Sequence, residues 1–229
     1  MRHQDIDEML DNAAQVPHEV PLGLLERITE SIESSMQPVR PLPSTGILSA
    51  TLVLIAAAVA LLGAARAGFQ GVEALTWDQR MLIFGTLALL AWFAAGQTVR
   101  EWIPGSRGRV ASVALLVTVS VPLLAVFALL FHNYRTTHFV PAGFACLFTG
   151  LLHAIPVWLL VWWLLRRGYA VNAVMAGLAS GVLAGLAGVT MLELHCTNFE
   201  TFHLLVWHTL VVPLSGAVGA IIGWTLRGR

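Results

Sequence analysis

The chain has 229 residues, of which 57% are hydrophobic and 11% charged. A soluble domain carries roughly 25% charged residues, so this composition excludes an ordinary water-soluble globule and points to a bilayer. The net charge is zero, which leaves no basic footprint for nucleic acid.

The first element in chain order is a polar tail, residues 1–45, set apart from a membrane domain over residues 46–229. The tail has no apolar core of the kind a signal peptide needs, so none is expected here. It carries Asp5, Asp7, Glu8, Asp11, Glu19, Glu26, Glu30 and Glu33 against Arg2, Arg27 and Arg40. Pro17 and Pro21 divide it, and the stretch from Leu22 to Met36 has helical periodicity. Leu25, Ile28, Ile32 and Met36 fall on one face. A lone helix of about fifteen residues is marginal in water, so this face calls for a partner. The rest of the tail, the membrane surface and another protein are the candidates; the acidity disfavours an anionic lipid surface and suits a protein groove better. Pro38, Pro41 and Pro43 then form a stiff spacer.

Six apolar runs follow, at about Gly46–Ala64, Met81–Gly96, Val110–Phe131, Pro141–Leu165, Val171–Leu194 and Phe202–Leu226. About twenty apolar residues suffice to cross a bilayer. The expected fold class is therefore all-α: a polytopic bundle of six transmembrane helices with a short helical cytoplasmic tail. The second run is the shortest. Pro156 lies inside the fourth run and is expected to kink it. Positive residues favour the cytoplasmic side. With both termini cytoplasmic, ten arginines lie inside and only Arg66, Arg80 and Arg135 outside. Trp77, Trp102 and Trp224 fall near the expected interfaces. In the fifth run Gly177, Gly181 and Gly185 recur every four residues, as do Gly219 and Gly223 in the sixth. Such stripes let helices approach closely, and packing within the chain is the favoured use.

With that topology the chemistry-bearing residues gather at the outer side. Cys146 and His153 lie seven residues apart in the fourth run. Glu193, His195 and Cys196 close the fifth, and His203 and His208 open the sixth. Thiolates and imidazoles suit soft and borderline ions such as Cu, Zn or Cd, which makes a transient soft metal ion the candidate ligand; no resident cofactor is expected. A disulfide between Cys146 and Cys196 is the other reading, in a compartment that permits one. For each residue taken singly, packing in an apolar helix is the plainer explanation. Ionisable residues inside a membrane nevertheless mark functional candidates. No HExxH, GxSxG, Walker A or GxGxxG motif occurs, so an enzyme is not expected. A small metal-handling transporter is the alternative, although the middle of the membrane is bare apart from His153.

Several stretches resemble a known family. VPLGLLERITESIESSMQPVRPLPS looks like the segment leading into the membrane in anti-sigma factors. CLFTGLLHAIPVWLLVWWLLRRGYAVNAVMAGLASGVLAGLAG and LHCTNFETFHLLVWHTLVVPLSGAVGAIIG resemble the NrsF family of six-span membrane proteins, over roughly residues 25–229. The most specific features are Cys146 followed by Pro156, the Arg166-Arg167-Gly168 turn, the glycine-rich fifth run, and Cys196 followed by Trp207. The resemblance implies a negative regulator of an extracytoplasmic-function sigma factor in the bacterial inner membrane. It implies that the tail holds the sigma factor, and the periodic apolar face of Leu25, Ile28, Ile32 and Met36 is the expected contact. It also implies that Cys146 and Cys196 sense metal or oxidative stress; from the residues themselves, His153, His195, His203, His208 and Glu193 are expected to assist them.

Overall fold

The computed structural model describes residues 22–35, 43–103, 112–136, 138–167, 170 and 172–226. Among them every regular element is helical. The chain divides into two units, Met1–Leu42 and Pro43–Arg229.

The first unit contains helix α1, Leu22–Ser35. Leu25, Ile28 and Ile32 are each close to half exposed on it. They share one face because steps of three and four residues return to the same side of a helix. Met36 lies outside the described residues.

The second unit begins with α2, Thr45–Ala67, whose first turn is capped by the Ser44 hydroxyl accepting from the Ile47 N–H. A short helix, α3 (Gln70–Ala74), crosses to α4, Trp77–Trp102. Thr76 and Gln79 form a reciprocal capping box at the start of α4. Then come α5 (Ser112–Leu130), α6 (Phe139–Arg167), α7 (Ala173–His195) and α8 (Thr201–Leu226). Five of these, α2, α4, α6, α7 and α8, are long and apolar enough to cross a membrane.

The second expected run is not the short one. Helix α4 has 26 residues, and α5, with 19, is the shorter apolar helix. The apolar pattern stops at Gly96, but the helix does not. Gln97 and Thr98 are buried, and the Thr98 hydroxyl donates to the Ala94 carbonyl one turn back. Polar side chains that are satisfied within the bundle let a helix continue past the end of its apolar run.

Helix α7 is the centre of the unit. Buried residues make up 83% of its spanning stretch, against 28–44% in the other four. It packs against α2, α4, α6 and α8. The glycine stripe faces α8: a methyl group at Gly177 would collide with the Gly219 carbonyl, and one at Gly181 with the Ser215 carbonyl. The two backbones therefore lie in direct contact over about two turns, as small-residue stripes allow.

The end of the bundle where α7 finishes is pinned from two sides. Thr201 donates its N–H to the Asn133 carbonyl (2.7 Å) and its hydroxyl to the Phe131 carbonyl (2.9 Å). Phe131 and Phe199 stack with centroids 5.5 Å apart. Gly71 of α3 lies under the chain at the same place. A Cβ there would stand 2.8 Å from the Glu193 carbonyl and 2.7 Å from that of Cys196.

Candidate functional site

Three helix ends meet where α7 finishes. Cys146 projects from the second turn of α6 and is partly buried; Cys196 caps the C-terminus of α7 and is buried. Fifty residues apart in sequence, their sulfurs are 3.5 Å apart, and both are free thiols. His203, in the first turn of α8, places Nε2 3.7 Å from the Cys196 sulfur.

His208 reaches the same place because α8 is not α-helical throughout. Leu204–His208 is a π-helical turn. In an α-helix a step of five residues ends about 140° away from its start. Bonds from i to i+5 bring the fifth residue back over the first. The rings of His203 and His208 consequently meet edge to face, 5.1 Å between centroids. Pro213 follows the turn by five positions and has no N–H to give the Thr209 carbonyl.

Glu193, in the last turn of α7, points into this corner. Its Oε1 accepts from His208 Nδ1 at 2.6 Å, and both side chains are buried. Glu193 Oε2, His203 Nδ1 and His208 Nε2 are buried with no hydrogen-bonding partner among the described residues. The ligand atoms of Cys146, Cys196, His203 and His208 all lie within 4.8 Å of one another. A pocket of about 300 Å³, lined by Gln70, Cys146, His195, Cys196, Thr197 and Asn198, opens over the thiols.

The site thus draws together five of the seven residues singled out from the sequence, and it leaves out two. His153 is two turns along α6 from Cys146, on the part that meets α2. Its Nδ1 donates to the Thr149 carbonyl (2.8 Å), and its ring abuts Gly63 so closely that no Cβ fits there. His195 lines the pocket wall, with Nδ1 3.4 Å from the Gly68 carbonyl, and is not one of the four clustered ligands. Sequence reasoning missed Gln70 and Gly71 of α3 and the π-helical turn. The capping pair Thr76 and Gln79 was a legible sign that a helix begins just after α3. Nothing in residue spacing announces the π turn.

A chain of this helical, membrane-suited build, with a paired-thiol corner at one end of its bundle, matches one family model. It is NrsF, described as "Negative regulator of sigma F", and the match covers residues 34–227. The chain belongs to the NrsF family. As an NrsF protein it is a negative regulator of a sigma factor, and a sigma factor is its partner. The matched stretch takes in the whole bundle but starts at residue 34. It begins later than the resemblance drawn from the sequence and leaves Leu25, Ile28 and Ile32 outside. Neither a curated protein nor a solved structure matches the chain.

Proposed function

We propose that this NrsF protein is a membrane-embedded anti-sigma factor acting on an extracytoplasmic-function sigma factor. It works by binding and release, without catalysis. The tail, residues 1–45, holds the sigma factor through the face bearing Leu25, Ile28, Ile32 and Met36. The membrane domain, residues 46–229, receives a metal or oxidative signal at Cys146 and Cys196. It sits in the bacterial inner membrane with both termini cytoplasmic, as the arginine distribution favours. Helix α5 is the sixth span: at 19 residues it extends about 28 Å, against a hydrocarbon core of about 30 Å.

The observation that carries this reading is the 3.5 Å approach of two thiols from different helices in a family of sigma regulators. Two free thiols at that distance answer both kinds of stimulus. A soft ion can bridge them. An oxidant can accept two electrons as the two thiol protons leave and the sulfurs close to about 2.05 Å. Either event joins α6 to the end of α7. For the stimulus to reach the tail, the bundle must have two arrangements that the stimulus distinguishes.

The test is a Cys146→Ser/Cys196→Ser double variant in cells carrying a reporter for the sigma factor. The expected result is a sigma factor that is still held and no longer released by metals or oxidants. Induction that survives in the double variant overturns the sensing reading. Failure of the full chain to capture a folded sigma factor overturns the anti-sigma reading of the tail.

A further inference from the structure

The two thiols are only half of the polar corner, and the other half has its own geometry. We propose that Cys146, Cys196, His203 and His208 form a four-coordinate site for a divalent ion of the zinc class, with Glu193 as the residue that positions His208. The proposal deepens the sensing reading and rests on it for the site's biological use; the ligand set rests on the geometry alone.

Four donors from three helix ends lie within 4.8 Å of one another. Two sulfurs bound to one tetrahedral ion at about 2.3 Å each stand about 3.8 Å apart, near the 3.5 Å seen here. To hold the ion the two sulfurs move slightly apart and the wider donor pairs close by up to about 1 Å.

The orientation of His208 points the same way. Its Nδ1–H is committed to Glu193 at 2.6 Å. In the neutral ring the other nitrogen, Nε2, is then the one that carries a lone pair, and it is buried with no hydrogen-bonding partner among the described residues. A carboxylate that fixes the tautomer of a histidine and aims its second nitrogen is the usual support of a metal-binding imidazole. Leaving such a nitrogen buried without a use is costly. The π-helical turn serves the same end, because it brings His208 toward the side of α8 that His203 occupies.

Charge selects the ion. A divalent cation that displaces two thiol protons leaves the charge of the thiol pair unchanged. A monovalent one leaves a net negative charge in a buried corner that already holds Glu193, and buried uncompensated charge is strongly disfavoured. The pocket of about 300 Å³ over Cys146 and Cys196 gives the ion its access route.

The experiment uses the full chain in detergent, reduced and stripped with chelator, titrated with Co²⁺ and then displaced by Zn²⁺. Expected are one Co²⁺ per chain, the intense visible bands of tetrahedral cobalt and a thiolate-to-cobalt charge-transfer band, all lost on adding Zn²⁺. His203→Ala and His208→Gln should change the visible bands. His208→Cys, which supplies a third sulfur, should strengthen the charge-transfer band, and that stronger band itself reports a folded site. Glu193→Gln should keep the spectrum and bind Co²⁺ about 10–100-fold more weakly, and His153→Ala should change nothing. Wild-type spectra from both His203→Ala and His208→Gln would overturn the ligand set. Wild-type Co²⁺ affinity in Glu193→Gln would overturn the positioning role, and no metal uptake by the reduced wild type would overturn the site. Sigma-factor capture measured on the same preparations separates the two readings: a lost cobalt signal with capture intact strikes this site alone.

Discussion

Glu193 and His208 are both buried, and each is the other's hydrogen-bonding partner. Removing one partner of a buried pair strands the other, at a cost of about 3–5 kcal/mol. Glu193→Ala is therefore expected to destabilise the protein by that order, read as a lowered thermal unfolding midpoint in detergent. Glu193→Gln keeps an acceptor for Nδ1 and should lose much less; equal losses would show that the pair is not what holds this corner. The sequence marked all five residues of the corner and two more besides. A seven-residue spacing puts two side chains on one face of a helix, but it does not say which neighbour that face meets along its length. Cys146 meets α7 and α8, whereas His153, two turns on, meets Gly63 of α2. The i, i+7 pair Cys196 and His203 did come together, because the chain turns back between α7 and α8 and is pinned there by Thr201.

At the scale of elements, the glycine stripe of α7 was legible because only small residues allow two backbones to touch. Gly181→Leu is expected to force α7 and α8 apart, since even a methyl group there meets the Ser215 carbonyl. Overpacking costs about 1–3 kcal/mol when neighbours can yield, and backbone yields least. The expected result is a loss of folded protein on detergent extraction, and a wild-type yield and midpoint would refute the close contact. The ends of α4 and the brevity of α5 were not legible from hydropathy. Gln97 and Thr98 read as the end of an apolar run, yet both are buried inside the helix, and the Thr98 hydroxyl donates to the Ala94 carbonyl. The π turn was illegible for a stronger reason. Its composition, Leu-Leu-Val-Trp-His, is ordinary for an α-helix, and it is the surroundings that select it. One of them is Gly143 of α6, where a Cβ would run into the Trp207 indole. Gly143→Val should displace Trp207 and with it His208, abolishing the signal response while leaving sigma-factor capture in place.

At the scale of the whole molecule, the division into tail and membrane domain was legible as a change of composition, and the family through local motifs in the later helices. The contact face of the tail rests on periodicity alone. If Leu25 and Ile28 anchor the sigma factor, Leu25→Asp and Ile28→Asp in the full chain should each weaken capture by about 30-fold, the equivalent of roughly 2 kcal/mol at an interface anchor. Full-strength capture by both variants would place the contact elsewhere. The proposed orientation is checked with a membrane-impermeant thiol reagent. It should label Cys146 in the reduced protein from the periplasmic side, through the pocket that opens over it. Labelling only after the cytoplasmic face is exposed would invert the topology.

The central position of α7 has a mechanical consequence. Locked to α8 by glycine-lined backbone contact and surrounded by α2, α4 and α6, it has little freedom to tilt by itself. A pull on its Cys196 end is expected to travel as a slide or twist of the α7–α8 pair, in the manner of an axle turning in a sleeve. Such a shaft carries motion across the bundle without opening a path for solutes through it.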